Sequence, residues 1–180
     1  MAVSHLIIIG NIISFIAALF MFASGWTKDR DRTFLYQILE NLVLCAANAC
    51  FRSWAGISTL LLSGVRNYLV MKERYTKKLM YVFVILIIVI GTAINNRGLV
   101  GLLPVAATVQ LSICNQYAKT LIQHKLSLFV NTAIWLVYDF CILDISSTVA
   151  QTVMCLLTAV TMIQLKKDGV KTIENSLKNR

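Results

Sequence analysis

Asn131, Trp135 and Asp139 stand four residues apart in the stretch NTAIWLVYDFCILD, residues 131–144. On a helix that spacing stacks the three side chains on one face, which drifts only slowly around the axis. The face combines an amide, an indole and a carboxylate. Its surroundings are apolar, and a carboxylate in hydrocarbon is costly unless it meets water, a partner or a shallow interface. The stripe therefore lines either a hydrated cavity or a hydrogen-bonded seam between helices. A second group shares the pattern. Glu40 and Asn48 lie in an earlier apolar run with the spacing that separates Asn131 from Asp139, and Arg66 lies inside the run after that.

The chain of 180 residues is 58% hydrophobic and 14% charged, with a mean hydropathy of +0.73. Soluble domains carry about 25% charged residues, so this composition points to an integral membrane protein. The net charge of +9 does not indicate a nucleic-acid binder, because the basic residues sit in gaps between apolar runs rather than on one solvated face. Cys45, Cys50, Cys114, Cys141 and Cys155 all fall inside apolar runs without a CxxC pair or a metal-ligand spacing, and are read as reduced packing thiols.

Seven runs approach the roughly 20 apolar residues of a spanning helix: 5–25, 33–51, 55–71, 79–95, 99–119, 126–143 and 146–165. The first is longer than a signal-peptide core and no Lys or Arg precedes it, so it is read as a retained span. The runs lack the alternation of barrel strands. The loops TKDRDR and KERYTKK, the Lys119–Lys125 turn and the tail from Lys166 hold 14 of the 17 Lys and Arg. Those four regions fall on one side if the spans alternate, which places the N-terminus outside and the C-terminus in the cytoplasm.

Seven spans permit two parallel triplets, residues 1–78 and 99–165, joined by an inverting fourth span within 79–98 and followed by a basic tail, 166–180. SGVRNYLVMK (63–72) closes the third span as TAVTMIQLKK (158–167) closes the seventh. In this frame Glu40 lies about 10 Å from the cytoplasmic end of its span and Arg66 about 7–8 Å, at 1.5 Å per residue. The matching depths predict an interhelical ion pair. The alternative is that Arg66 faces a cavity and attracts an anionic solute. Asp139 falls one turn below the outer surface, where it would reach an aqueous vestibule or Arg97.

The series RDRTFLYQ, LLLSGVRNYLV, GLLPVAATVQLSICNQY and NTAIWLVYDF resembles the YgjV-type bacterial inner-membrane family, related to the PQ-loop and SWEET transporters, over roughly residues 8–168. The resemblance implies an all-α, 3+1+3 bundle around a polar cavity, with solute crossing by rocking of the triplets. It implies that Pro104 is a flexing point of the fifth span or a static kink, since proline removes a helical hydrogen bond, and that Trp135 faces the cavity. Cavity candidates are Asn48, Ser63, Arg66, Asn131, Trp135, Asp139 and Thr158. Ser63 and Thr158 stand where SWEET-like proteins carry Asn, and the first span has no proline, so a sugar is not specified.

The function expected is a carrier or facilitator of a small polar solute, sugar-like or a small organic acid. A non-transporting scaffold or subunit of a larger membrane complex is the alternative. No HExxH, GxSxG or paired-aspartate motif marks an enzyme. No cofactor and no metal is expected. The partners expected are membrane lipids and the solute, without nucleic acid and with self-association left open. Gln110, Asn115, Asn67 and Thr161 add polarity to the spans.

Overall fold

The computed structural model describes residues 2–27, 29–117 and 120–178. Among them are seven α-helices, one 3-10 turn and no strand. The helices are α1 (Ala2–Trp26), α2 (Arg30–Cys50), α3 (Trp54–Met71), α4 (Lys77–Ala93), α5 (Leu103–Tyr117), α6 (Leu121–Cys141) and α7 (Ile145–Lys178). Two stretches, His5–Ser24 and Ile145–Lys166, are long and apolar enough by composition to cross a membrane alone. The other helices are shorter or carry more polar residues.

Those polar residues point inward. Ser14, Thr59 and Ser112 are wholly buried, and Arg66, Asn67, Thr108 and Asp139 nearly so, whereas Ile8, Phe15, Ile85, Val89, Leu156 and Ile163 are exposed. An apolar exterior around a polar interior is stable in lipid and not in water.

Helix neighbours define the interior. α1 packs on α2, α2 on α3, α3 on α5, α5 on α6, α6 on α7, and α7 on α1. These six close a ring, and among the described residues the backbones of α2 and α6 stand apart across it, their side chains meeting at one end through Asn48 and Tyr138. α4 lies outside, against α3 and α5.

The ends follow from local chemistry. Asp29 caps α2 by accepting from the Asp31 and Arg32 amides. Thr120 caps α6 in a capping box with Gln123, which starts that helix earlier than the apolar run from 126 indicates. At the far ends the two helices finish alike. Ser53 N–H donates to Asn48 O and Arg52 N–H to Ala49 O; Asp144 N–H donates to Asp139 O and Leu143 N–H to Phe140 O. Both are Schellman closures with a left-handed residue, Arg52 at φ 54° and Leu143 at φ 65°. Caps and closures thus recur 91 residues apart, from Asp29 and Thr120 to Ser53 and Asp144.

Pro104 corrects one expectation. It lies in the first turn of α5, not within a continuous span. Lacking an N–H, it cannot close the helical bond to Val100, and Leu103 N–H takes that carbonyl in a 3-10 turn over Val100–Leu102. The fifth helix is consequently shorter than the run 99–119. α7, by contrast, continues through the basic tail to Lys178. The tail side chains from Lys167 onward, and that of Asn115, lie outside the described residues.

Candidate functional site

The ring encloses a cavity of about 730 Å³, a volume typical of small-molecule sites. Its wall runs from Thr27, Glu73, Tyr75 and Lys125, at the end of the bundle that carries the α1–α2 and α3–α4 loops, to Asn48, Trp135 and Asp139 near the other end. Asn48, Ser63, Arg66, Asn131, Trp135, Asp139 and Thr158 all border it. The i, i+4, i+8 stripe of α6 thus faces one enclosed space.

Beyond Asn48 and Asp139 the bundle is filled. Ala47, Phe51, Ala107, Tyr138 and Ile142 pack in one apolar cluster with Leu60 and Trp135. The Tyr138 hydroxyl is hydrogen-bonded to Ser53 Oγ and donates to Asn48 Oδ1 at 3.2 Å. Gly10 lets the Phe51 ring approach α1, where an added Cβ would lie 2.7 Å from the ring. Arg97 Nη2 donates to Phe51 O, and Asn96 Nδ2 donates to Arg52 O at 2.8 Å, so the α4–α5 loop is tied across this plug. Asn11 of α1 binds both Leu143 O and the Ser146 amide.

Asp139 therefore differs from expectation in its access. It is one turn from the end of α6, yet the space it faces is walled toward the opposite end, and Arg97 is engaged with Phe51. Asp144 is the acidic group the sequence reading passed over. It is wholly buried, accepts from Ser14 Oγ at 2.5 Å and from the Ser147 amide at 3.0 Å, and so caps α7 while fastening it to α1. The signal was present as DISS at the start of the last run.

The expected ion pair between Glu40 and Arg66 is not formed. Arg66 Nη1 donates to Ser112 Oγ at 2.8 Å, and Nε and Nη2 donate to Asn67 Oδ1 at 3.3 and 3.2 Å. Asn67 Nδ2 in turn reaches Gln37 Oε1 at 3.3 Å. Glu40, although it borders the same cavity, also sits beside Ala17, Ala18 and Ala150, toward α1 and α7. Equal depth places two residues at one height; the rotation of each helix decides whether they meet.

Tyr75, in the α3–α4 loop, stands near Arg66 at the mouth. Burial raises its hydroxyl pKa, and the Arg66 guanidinium works against that rise. Gln110 Nε2 donates to Ser127 Oγ at 3.0 Å and joins α5 to α6. Among the described residues no group of three His, Cys, Asp or Glu is disposed to hold a metal ion.

The family model of the bacterial inner membrane proteins termed Imp-YgjV matches residues 8–169. No curated protein and no solved structure matches the chain.

Proposed function

The chain belongs to the YgjV family of bacterial inner membrane proteins, and from that premise we propose that it carries a small polar solute across the membrane by alternating access. The observation that carries this reading is the cavity: about 730 Å³, polar, walled as far as the basic loops and plugged beyond Asn48 and Asp139. A space of this kind corresponds to the inward-facing half of a transport cycle. The reading includes no enzymatic step.

The arrangement is read as SWEET-like, with α1–α3 and α5–α7 as parallel triplets, α4 as the inverting linker, the N-terminus outside and the C-terminus in the cytoplasm. Two observations support it. A two-fold axis along the membrane normal carries the α1–α7 contact onto the α5–α3 contact, and both pairs are neighbours. The same axis relates α2 to α6, whose caps and closures recur 91 residues apart. The basic loops supply the polarity.

The test is counterflow in proteoliposomes of the full chain, with sugars, organic acids and amines as separate solute classes. Exchange of any class above that of empty liposomes, lost when bulky residues replace Ser63 or Asn131, is the expected result. No exchange of any class by folded protein overturns the reading and leaves a scaffold. Orientation is checked separately: a fluorescent protein fused after residue 180 should mature in the cytoplasm.

A further inference from the structure

The carrier reading leaves the solute's chemistry open, and the polar groups of the cavity narrow it. Three oxygen acceptors border it without a donor among the described residues: Asp139 at the closed end, Asn131 about 12 Å nearer the mouth, and Glu40 near the height of Arg66. Asp139 is only 4% exposed and borders the cavity, yet its carboxylate accepts no hydrogen bond among the described residues. Asn131 Oδ1 is buried and likewise unpartnered. Glu40, half-buried on the α2 wall across the cavity, has neither an ion pair nor a hydrogen-bond partner for its carboxylate among the described residues.

The neighbouring amide and phenol are spent. Asn48 donates from Nδ2 to Leu44 O and accepts from Tyr138 at Oδ1, and the Tyr138 hydroxyl is shared between Asn48 and Ser53. The cations of the wall, Arg66 and Lys125, lie toward the mouth. Lys125 is in the second turn of α6, and Arg66 is about 15 Å from Asp139 along the bundle axis at 1.5 Å per residue. Arg66 already donates to Ser112 and Asn67, and a small solute at Asp139 does not reach it.

A buried carboxylate without a donor is relieved either by taking up a proton or by meeting a cationic, hydrogen-bonding partner, and a cationic solute supplies the second. Trp135 stands one turn from Asp139 on the same stripe, its ring perpendicular to that of Tyr138 with centroids 5.5 Å apart, and an indole face attracts ammonium groups. We infer that the solute is a small organic cation, an amine or quaternary ammonium compound, whose charged end sits at Asp139 beside Trp135 and whose body extends toward Asn131 and Glu40. This inference rests on the carrier reading and replaces its open solute class with one charge.

The test compares charged and uncharged probes of the same shape. Choline and its carbon isostere dimethylbutanol, putrescine and butanediol, together with glucose and succinate, are measured on the full chain by thermal stabilisation in detergent and by counterflow. Choline or putrescine should bind and exchange, their uncharged counterparts should not, and Asp139→Asn should weaken the charged probe by at least about tenfold. Asp139→Glu should keep binding, which separates charge from folding. If Asp139→Asn does not fold, the comparison between charged and uncharged probes on the unaltered protein still decides. Equal binding of the uncharged isosteres overturns the inference. Exchange of glucose or succinate with neither cation exchanged also overturns it and leaves the carrier reading standing. Exchange of nothing, in folded protein, overturns both.

Discussion

Gly56 and Tyr138 meet at the plug with no room between them: a β-carbon on Gly56 would lie 2.7 Å from the Tyr138 hydroxyl oxygen. The same β-carbon would lie 2.3 Å from Asn48 Oδ1 and 2.9 Å from Ser53 Oγ. One glycine near the start of α3 thus allows three polar groups from α2, the α2–α3 loop and α6 to converge. The hydrogen bonds that close this end of the bundle depend on a missing side chain.

Gly56→Ala should accordingly destabilise the protein by about 1–3 kcal/mol, the usual range for overpacking. The expected readout is a lower unfolding temperature in detergent. Gly64→Ala is the control, because its β-carbon would meet only Asn41 Cβ at 3.9 Å. Equal effects of the two substitutions would contradict the close packing at Gly56.

Arg66 leads to a second expectation. Its partners are Ser112 and Asn67, while Glu40 lies toward α1 and α7. In a double-mutant cycle on unfolding free energy, Arg66→Met with Ser112→Ala should show coupling of about 1–2 kcal/mol, as expected for a hydrogen bond to a charged group. Arg66→Met with Glu40→Gln should show less than about 0.5 kcal/mol. The reverse order would restore the ion pair that the matching depths indicate.

Leu143 gives a prediction of the opposite sign. It holds φ 65° in the closure of α6 and its side chain is exposed. A left-handed conformation costs an ordinary residue about 1–2 kcal/mol, a cost glycine avoids. Leu143→Gly should raise stability by about 0.5–1 kcal/mol once the greater freedom of glycine in the unfolded chain is counted. Thermal unfolding under the same detergent conditions checks it.

These predictions show which parts of the fold were legible in the sequence. Continuous apolar runs marked all seven helices, because hydrophobic patterning acts over whole turns. Helix ends depend on single caps, so the apolar pattern, interrupted by His124 and Lys125, marks the start of α6 later than Thr120 and Gln123 set it. The stripe Asn131, Trp135 and Asp139 was legible because a spacing of four fixes a common face. The relation of Arg66 to Glu40 was not, since depth along two helices carries no information on their rotation. Tyr138 was passed over for a related reason. It is adjacent to Asp139 in sequence, but one residue of helix turns the side chain by about 100°, out of the cavity wall and into the plug.

Tyr138 also sets the most direct test of which end is closed. With the five native cysteines replaced by Ala, a cysteine introduced by Trp135→Cys should react with a membrane-impermeant maleimide from the cytoplasmic side of inverted vesicles. From the outer side of intact cells it should react slowly, because Tyr138, Ser53 and Phe51 intervene. Adding Tyr138→Phe removes the hydroxyl from Ser53 and Asn48. Losing such a bond costs about 1 kcal/mol, which lowers the share of closed plug relative to open by about fivefold. Outer labelling should rise by a similar factor while cytoplasmic labelling stays level or falls. A rise from both sides alike would mean that the phenol only holds the bundle together, whereas a rise confined to the outer side identifies it as the bolt of the closed end.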